Sequence, residues 1–467
     1  MAHPGGRSAH VRRHRQPRGP SRVNEDSELK QGVTGRLLYF YVLGDVLGSG
    51  IYVLIGLVAG AVGGAFWAAF AVGVTVATIT GLAYAELVTK YPQAAGAALY
   101  VNKAFKNKTL TFFITFCMLS ASYAAAGSLA TGFAQYFGEV WAAAPALVVA
   151  LAFIVGLAII NFVGITESVV ANMIMTFIEI AGLIIVLVIG VVATFQGKVD
   201  FSRVTEFSTE SNPALGLLAG VALAFFAMTG FENAANVAEE TQNPRRDFPR
   251  ALIGGMATAG VLYVLIAVTA AITVPIEQLA QSDAALLEVV KAGILPLSVA
   301  VLTIVFAIIA MVAITNTCLV CLVTESRILY GMAREDVVPA PFAKVSSRQV
   351  PWLAILFSVL VIAGLLFSGA DLAQLANVTV VFTLLIYALV IISAVKLDKL
   401  DRTEEAFRAP RVLLAIGVVA NFLILGYVIY DDPGSLLYCA ALLAVGVVLF
   451  IAERLLGGGR PTTNLES

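Results

Sequence analysis

Long apolar stretches dominate the chain, and short polar segments between them collect nearly all of its charge. Twelve such stretches stand out, at 37–64, 66–88, 110–137, 141–164, 171–195, 214–237, 251–274, 294–322, 352–368, 372–395, 411–430 and 434–452. Each reaches or approaches the roughly 20 apolar residues a helix needs to cross a bilayer. Lipid offers no partners to irregular backbone, so a helix bundle is the structure this pattern supports. The expectation is an all-α polytopic membrane protein of about 12 transmembrane helices. The stretches at 37–64 and 294–322 are longer than a straight span requires, which predicts tilt, a break or an interfacial turn.

Composition agrees: 59% of residues are hydrophobic and 13% charged, with a mean hydropathy of +0.91. A water-soluble surface would not tolerate that balance. The formal net charge of -1 conceals a strong asymmetry. With the N-terminus inside, the inner segments hold 26 of the 29 Lys and Arg residues, and only Lys198, Arg203 and Lys291 lie outside. This bias predicts a multi-pass protein of the plasma (inner) membrane with both termini cytoplasmic and an even number of spans. Residues 1–36 read as a disordered basic cytoplasmic tail without an apolar stretch of signal-peptide type. The tail either fixes topology as a solvated segment or touches anionic lipid. Residues 456–467 read as a C-terminal cytoplasmic tail, and nothing in the charge pattern points to nucleic acid.

Several chemistries are excluded by what the body of the chain lacks. His3, His10 and His14 all lie in the tail, so the expected transmembrane domain, 37–455, has no imidazole for a metal site or proton relay. Cys117, Cys318, Cys321 and Cys439 fall inside apolar stretches and read as small hydrophobic residues, the Cys318–Cys321 pair included. No metal, cofactor, catalytic residue or partner subunit is expected. No GxxxxGK[ST] sequence occurs, so a nucleotide-driven process is not expected, and any work across the membrane would draw on a gradient or on exchange. An integral-membrane enzyme would need a nucleophile or His/Asp constellation that is not visible, whereas a nutrient sensor that does not transport remains an alternative. No Lys or Arg sits mid-span, so a carboxylate would have to be held by something else. Helix N-termini, with free N–H groups and a favourable dipole, are the candidates.

Glycines concentrate at two points. The first stretch holds Gly44, Asp45, Gly48, Ser49, Gly50 and Gly56, a spacing at which a helix can unwind and restart with the amides of 49–51 facing a cavity. Close helix packing through small residues fits the same spacing. The sixth stretch places Gly230 beside Glu232 near its middle. Interruptions in corresponding helices of two halves point to a transporter with a midplane site. They predict two inverted five-helix repeats, 37–195 and 214–395, with broken helices 1 and 6, followed by two extra helices within 411–452.

Four motifs carry a family resemblance: GDVLGSGIYVLIG (44–56), YAELVTKYPQAAGAALYVNKAF (84–105), AFFAMTGFENAANVAEETQNPRRDFPRAL (224–252) and SRILYGMAREDVVPAPFAKVSSRQVPW (326–352). With them the chain resembles permeases of the amino acid/polyamine/organocation (APC) superfamily, nearest in pattern to bacterial relatives of cationic amino acid transporters. The resemblance implies a secondary active transporter of amino acids or related amines that works by alternating access. It implies that the amides of Ser49, Gly50 and Ile51 hold the substrate carboxylate. The amino group would meet the carbonyls of Val46, Phe226, Ala227 and Thr229. Phe226 takes the place of the aromatic that closes over the ligand, packing being the other reading, and Tyr123 is a further pocket candidate. A side chain at Gly50 would intrude on the carboxylate. Glu86 is expected to anchor the loop or short helix that follows it, and Glu239, Glu240, Arg245, Arg246 and Asp247 to form a solvated ion-pair network.

Three carboxylates lie deep within the apolar stretches, Asp45, Glu179 and Glu232, whereas Glu86 stands near the inner end of its stretch. At 1.5 Å per residue the three sit roughly 12, 12 and 8 Å from the inner ends of their helices. Charges at that depth are costly and mark function by default. They are the coupling candidates, with protons as the ion, the alternative being neutral acids that donate to unwound carbonyls. Several related permeases carry a lysine on the fifth span, and Glu179 stands in its place here.

Overall fold

The computed structural model describes residues 33–92, 96–141, 144–163, 169–208, 212–238, 240–334, 338–348, 350–400 and 406–456. The tail up to 32, Glu239 and the residues after 456 lie outside that set. In chain order the α-helices are α1 (Gly35–Leu47), α2 (Ser49–Val62), α3 (Trp67–Lys90), α4 (Gly96–Phe105), α5 (Lys108–Val140), α6 (Ala146–Val163), α7 (Val169–Phe195) and α8 (Pro213–Ala227). There follow α9 (Pro244–Thr273), α10 (Ile276–Gln281), α11 (Ala285–Lys291), α12 (Val299–Arg334), α13 (Trp352–Phe367), α14 (Leu372–Leu400), α15 (Arg411–Asp431) and α16 (Ser435–Leu456). No β-strand forms among the described residues; one bridge pairs Val33 with Thr241.

Eleven helical stretches are long and apolar enough to cross a membrane, and Trp352–Phe367 is a shorter apolar helix. Together they account for the twelve apolar stretches, so the chain is an all-α polytopic membrane protein. Local signals place the helix starts. Asn107 accepts the N–H of Leu110 at 3.2 Å at the start of α5. Asn212 accepts that of Ala214 at 2.9 Å ahead of Pro213, which opens α8. Some boundaries differ from expectation: α9 begins at Pro244, not 251, and α12 begins at Val299, not 294, and runs to Arg334, past the apolar limit at 322. In α12 hydropathy drops at Glu325 and Arg327, yet both are good helix formers, so the helix outlasts the apolar run.

Burial sorts the spans into layers. The window through α1 and α2 is 94% buried and that of α14 78%, whereas α6 and α16 are 28% buried. Exposed Val155, Ile159, Val419, Leu437 and Val448 on the outer helices form the apolar surface that lipid covers. α1, α2 and α14 are the centre around which the rest is packed.

Polar ties close both ends of the bundle. At the end where α1 starts, Glu86 is buried and accepts the Ala409 N–H at 3.0 Å and the Arg411 guanidinium at 2.7 Å. Arg411 also pairs with Asp398 at 2.9 Å. Glu86 thus anchors the entry to α15; residues 93–95 of the loop that follows α3 lie outside the described residues. The same end carries a backbone pairing of Val33 with Glu240 and Gln242. At the far end α10 and α11 fold over α2 as a cap. Lys291 bridges Glu139 of α5 at 2.6 Å and Glu288 at 3.0 Å, and Gln278 donates to Glu288 at 2.6 Å.

Burial acts to raise the Glu288 carboxyl, but the hydrogen bonds from Lys291 and Gln278 and the Lys291 charge outweigh it and hold the group below its usual range. Its folded value is depressed, so this stabilisation is present above the ordinary glutamate value of about 4.3 and is lost as pH falls through the lowered one. Glu288→Gln should lower the melting temperature of purified protein by about 1–2 °C at neutral pH. Melting curves across acidic pH should show that difference shrinking once the wild-type carboxyl protonates.

Candidate substrate site

Two helix breaks meet at the centre of the bundle. α1 stops at Leu47, and Gly48 turns the chain with φ -23° and ψ -149° before α2 restarts. A Cβ on Gly48 would strike the Thr317 hydroxyl of α12. The first free amide of α2, Ser49 N–H, donates to that hydroxyl at 3.1 Å. α8 stops at Ala227; the N–H groups of Met228 and Thr229 fold back onto the carbonyls of Phe225 and Phe226, both at 3.0 Å. Gly230 then adopts φ +114°, and a Cβ there would lie 2.6 Å from the Asp45 carbonyl oxygen. Only glycine suits that conformation and that approach. A short 3-10 turn, Phe231–Val237, resumes the chain, and Glu232 accepts the Gly230 N–H at 2.8 Å and the Tyr387 hydroxyl at 2.6 Å.

The freed carbonyls are tied across the two breaks. The Tyr263 hydroxyl of α9 reaches Val46 O at 2.5 Å and Ala227 O at 3.1 Å. It has one proton to share between them, so each carbonyl keeps accepting capacity for another donor. Phe226 O accepts from Thr229 through both its N–H and, at 2.7 Å, its hydroxyl.

A cavity of about 110 Å³ opens beside these breaks. That is room for on the order of ten water-sized groups. Asp45, Val46, Ser49 and Gly50 line it from the first break, and Phe226, Ala227, Thr229 and Glu232 from the second. α5, α12, α14 and Tyr84 of α3 complete the wall, and no Lys, Arg or His is among the described residues that line it. On α12 the lining runs from Asn316 to Ile328, toward the end that carries Arg334, so the cavity extends from mid-bundle toward the basic end.

Three of the candidate residues stand elsewhere. Ile51 is buried in the packing of α2 and is not part of the wall. Tyr123 points away, because Met118, Ser122, Ala125 and Leu129 are on the cavity face of α5; its ring packs on Phe357 of α13 and its hydroxyl lies 3.5 Å from Ser358. Glu179 is fully buried behind the wall, where Asn316, itself a lining residue, donates to it at 3.2 Å. The Tyr52 hydroxyl of α2 donates to the Glu179 carbonyl at 2.7 Å, so α2, α7 and α12 meet at this acid. Gly50 also has a second role: a Cβ there would run into the backbone of Ala227, so any side chain separates α2 from α8 as well as intruding on the cavity.

Tyr263, Asn316, Thr317 and Tyr387 escaped the sequence reading. Their only local signal is a polar group inside an apolar run, and Asn316–Thr317 in mid-α12 is the clearest instance.

An all-helical membrane bundle with two broken spans around a central cavity defines a secondary carrier. The chain belongs to the amino acid permease family, whose model matches residues 37–452. It is similar to the branched-chain amino acid permease BcaP of Bacillus subtilis, with 26% identity over 409 residues, 81% of this chain and 84% of that one. The methylthioribose transporter of the same species is 24% identical over 85% of this chain and 90% of its own. Cationic amino acid transporter 9, chloroplastic, of Arabidopsis thaliana is 28% identical over 65% of this chain, a match that spans 55% of the plant protein. The protein is accordingly a secondary transporter of amino acids and not an enzyme.

The cavity can be probed through its own thiol. Cys321 lines it and is partly exposed, whereas Cys117, Cys318 and Cys439 are buried. Methanethiosulfonate ethylammonium added to purified protein should modify Cys321 first, and Cys321→Ala should remove that fast phase in a mass-spectrometric time course. Gly230→Ala should cost about 1–3 kcal/mol through backbone strain, read as a lowered melting temperature.

Proposed function

We propose that this protein carries small amino acids across the inner membrane by alternating access, with the substrate bound where α1–α2 and α8 break. The observation that carries the reading is the restart of α2 at the wall of a cavity without a basic side chain. A carboxylate entering it meets the N-terminal amides and dipole of α2 as its source of positive potential. Ser49 N–H is engaged by Thr317, so Gly50, with Ile51 behind it, supplies the amides that remain. The amino group sits against the carbonyls of Val46, Phe226, Ala227 and Thr229, and Phe226 closes the cavity above it.

Substrate class follows from the opposite wall. Met118, Ala121, Ala125, Leu129 and Val320 present an apolar surface to the side chain. Glu232, the acid that a cationic substrate would seek, already accepts two hydrogen bonds. These features favour a neutral aliphatic side chain over a cationic one. The relatives are named for branched-chain amino acids, cationic amino acids and methylthioribose, so their names do not decide it.

Protons are the coupling ion in this reading, with Asp45, Glu179 and Glu232 as the acids involved; Glu179 is joined to the cavity wall through Asn316. The two halves, 37–195 and 214–395, act as inverted repeats, supported by a break in the first span of each. Both termini are cytoplasmic, supported by the bias of Lys and Arg to one end.

Proteoliposomes carrying the purified protein should accumulate radiolabelled L-leucine or L-isoleucine under an inward proton gradient, in preference to L-arginine and methylthioribose. Preference for arginine would replace the aliphatic assignment with a cationic one. Binding without uptake would make the protein a sensor. For orientation, an impermeant maleimide should label Ser208→Cys in intact cells and Ser27→Cys only after permeabilisation.

A further inference from the structure

A fourth acid belongs to the membrane body. Glu325 stands on α12 nine residues before its Arg334 end, about 14 Å along the helix by the usual rise. Its side chain is fully buried, and neither carboxyl oxygen completes a hydrogen bond. Its polar surroundings come from two other spans, the hydroxyls of Tyr123 on α5 and Ser358 on α13, which lie 3.5 Å apart.

Among the described residues the neighbours supply no counter-charge. α5 contributes Tyr123 as its titratable group and α13 contributes none but Ser358. α6 contributes Asn161, whose amide is given to the Leu322 carbonyl at 3.4 Å. The 3-10 turn Ala340–Ala343 carries no titratable side chain, and its Phe342 packs on Phe357 of α13. α7 brings Glu179, held by Asn316 more than two turns away. On α12 itself Cys318 lies within electrostatic range of the carboxyl. No Lys or Arg among the described residues pairs with Glu325. An ionised carboxylate with no counter-charge and only neutral hydroxyls beside it is strongly disfavoured at this depth, and the group resolves the cost by keeping its proton.

Its position on α12 connects it to the cavity. Cys321 and Ile328, four residues before and three after it, both line the cavity. At 100° per residue the Glu325 side chain projects about 40–60° round the helix from them. The carboxyl therefore flanks the cavity stripe without joining it, and a modest rotation of α12, or its withdrawal from α13, brings water to it.

We propose that Glu325 is a proton-binding site of the carrier, loaded while it is sealed between α5, α12 and α13 and unloaded when movement of α12 admits water. The proton leaves a carboxyl oxygen for that water, and the same oxygen takes one back from water admitted in the opposite state. Movement of α12 links this cycle to the substrate, since the same helix supplies Asn316, Thr317 and Cys321 to the cavity. The inference rests on the carrier reading above and adds a coupling group outside the substrate cavity.

The test uses full-length protein in proteoliposomes with radiolabelled L-leucine, and with L-arginine and methylthioribose in parallel. A one-unit pH gradient can drive about tenfold accumulation per proton. Glu325→Gln, neutral and of the same shape, should retain counterflow exchange of the transported solute, lose that accumulation and show exchange that no longer varies with pH. Accumulation at the wild-type level overturns the proposal, as does accumulation driven by sodium alone and lost in the variant. Infrared spectra give a second readout independent of transport: the carboxylic C=O stretch that disappears in Glu325→Gln should be present in wild-type protein at pH 7. Its absence from the wild type also overturns the proposal. Should Glu325→Gln fail to insert, Glu325→Asp serves both measurements, by a changed pH profile and a shifted band. A wild type that exchanges none of the three solutes refutes the carrier reading, and the infrared result still decides the protonation of Glu325.

Discussion

Backbone polar groups inside a membrane must find partners, and the centre of this protein is organised around the two places where helices give them up. Breaking α1 at Gly48 and α8 at Ala227 frees amides and carbonyls at a depth where lipid offers none. Tyr263 spans Val46 and Ala227, Thr317 takes the Ser49 amide, and Glu232 takes that of Gly230. Each tie comes from a different span, so α9, α12 and the segment after α8 are drawn into one assembly. The close approach of Gly230 to Asp45 and of Gly50 to Ala227 sets how near the two breaks stand.

That arrangement also determines what the cavity can recognise. Positive potential comes from the restart of α2 and not from a side chain, so the site favours an anion without holding a fixed cation. A fixed cation would be expensive when the cavity empties, whereas backbone amides can return to hydroxyls such as that of Thr317. In the proposed reading, the apolar side chains that α5 and α12 give the cavity select the substrate by shape. The Lys291 ties at one end and the Glu86–Arg411–Asp398 network at the other hold the outer helices onto this centre.

Acids in the body of the protein sit in three settings. Glu232 is built into the backbone of the second break and bonded to Tyr387. Glu179 is joined to the cavity wall by the Asn316 amide. Glu325 has the hydroxyls of Tyr123 and Ser358 as polar neighbours from other spans and lies beside the cavity-lining stripe of α12. A buried carboxyl with no counter-charge is the one whose charge depends most on whether water arrives.

Much of this was legible in the sequence because hydropathy, glycine spacing and charge bias are local. Twelve apolar stretches, breaks in the first and sixth, and the collection of Lys and Arg in alternate loops follow from lipid acting on each segment by itself. Facing and partnership were decided only by the tertiary structure. Gly50 lines the cavity while Ile51, its neighbour, does not, and Tyr123 turns from the cavity that Ser122 lines. Glu86 meets Arg411, a residue remote in sequence. Glu325 escaped notice because the apolar run of α12 ends just before it; its sealed position exists only once α5 and α13 pack on that helix. Local chemistry fixes which segments enter the membrane, but the rotation of each helix about its axis is set by all its neighbours at once, and that rotation makes a buried residue a wall, a strut or a site.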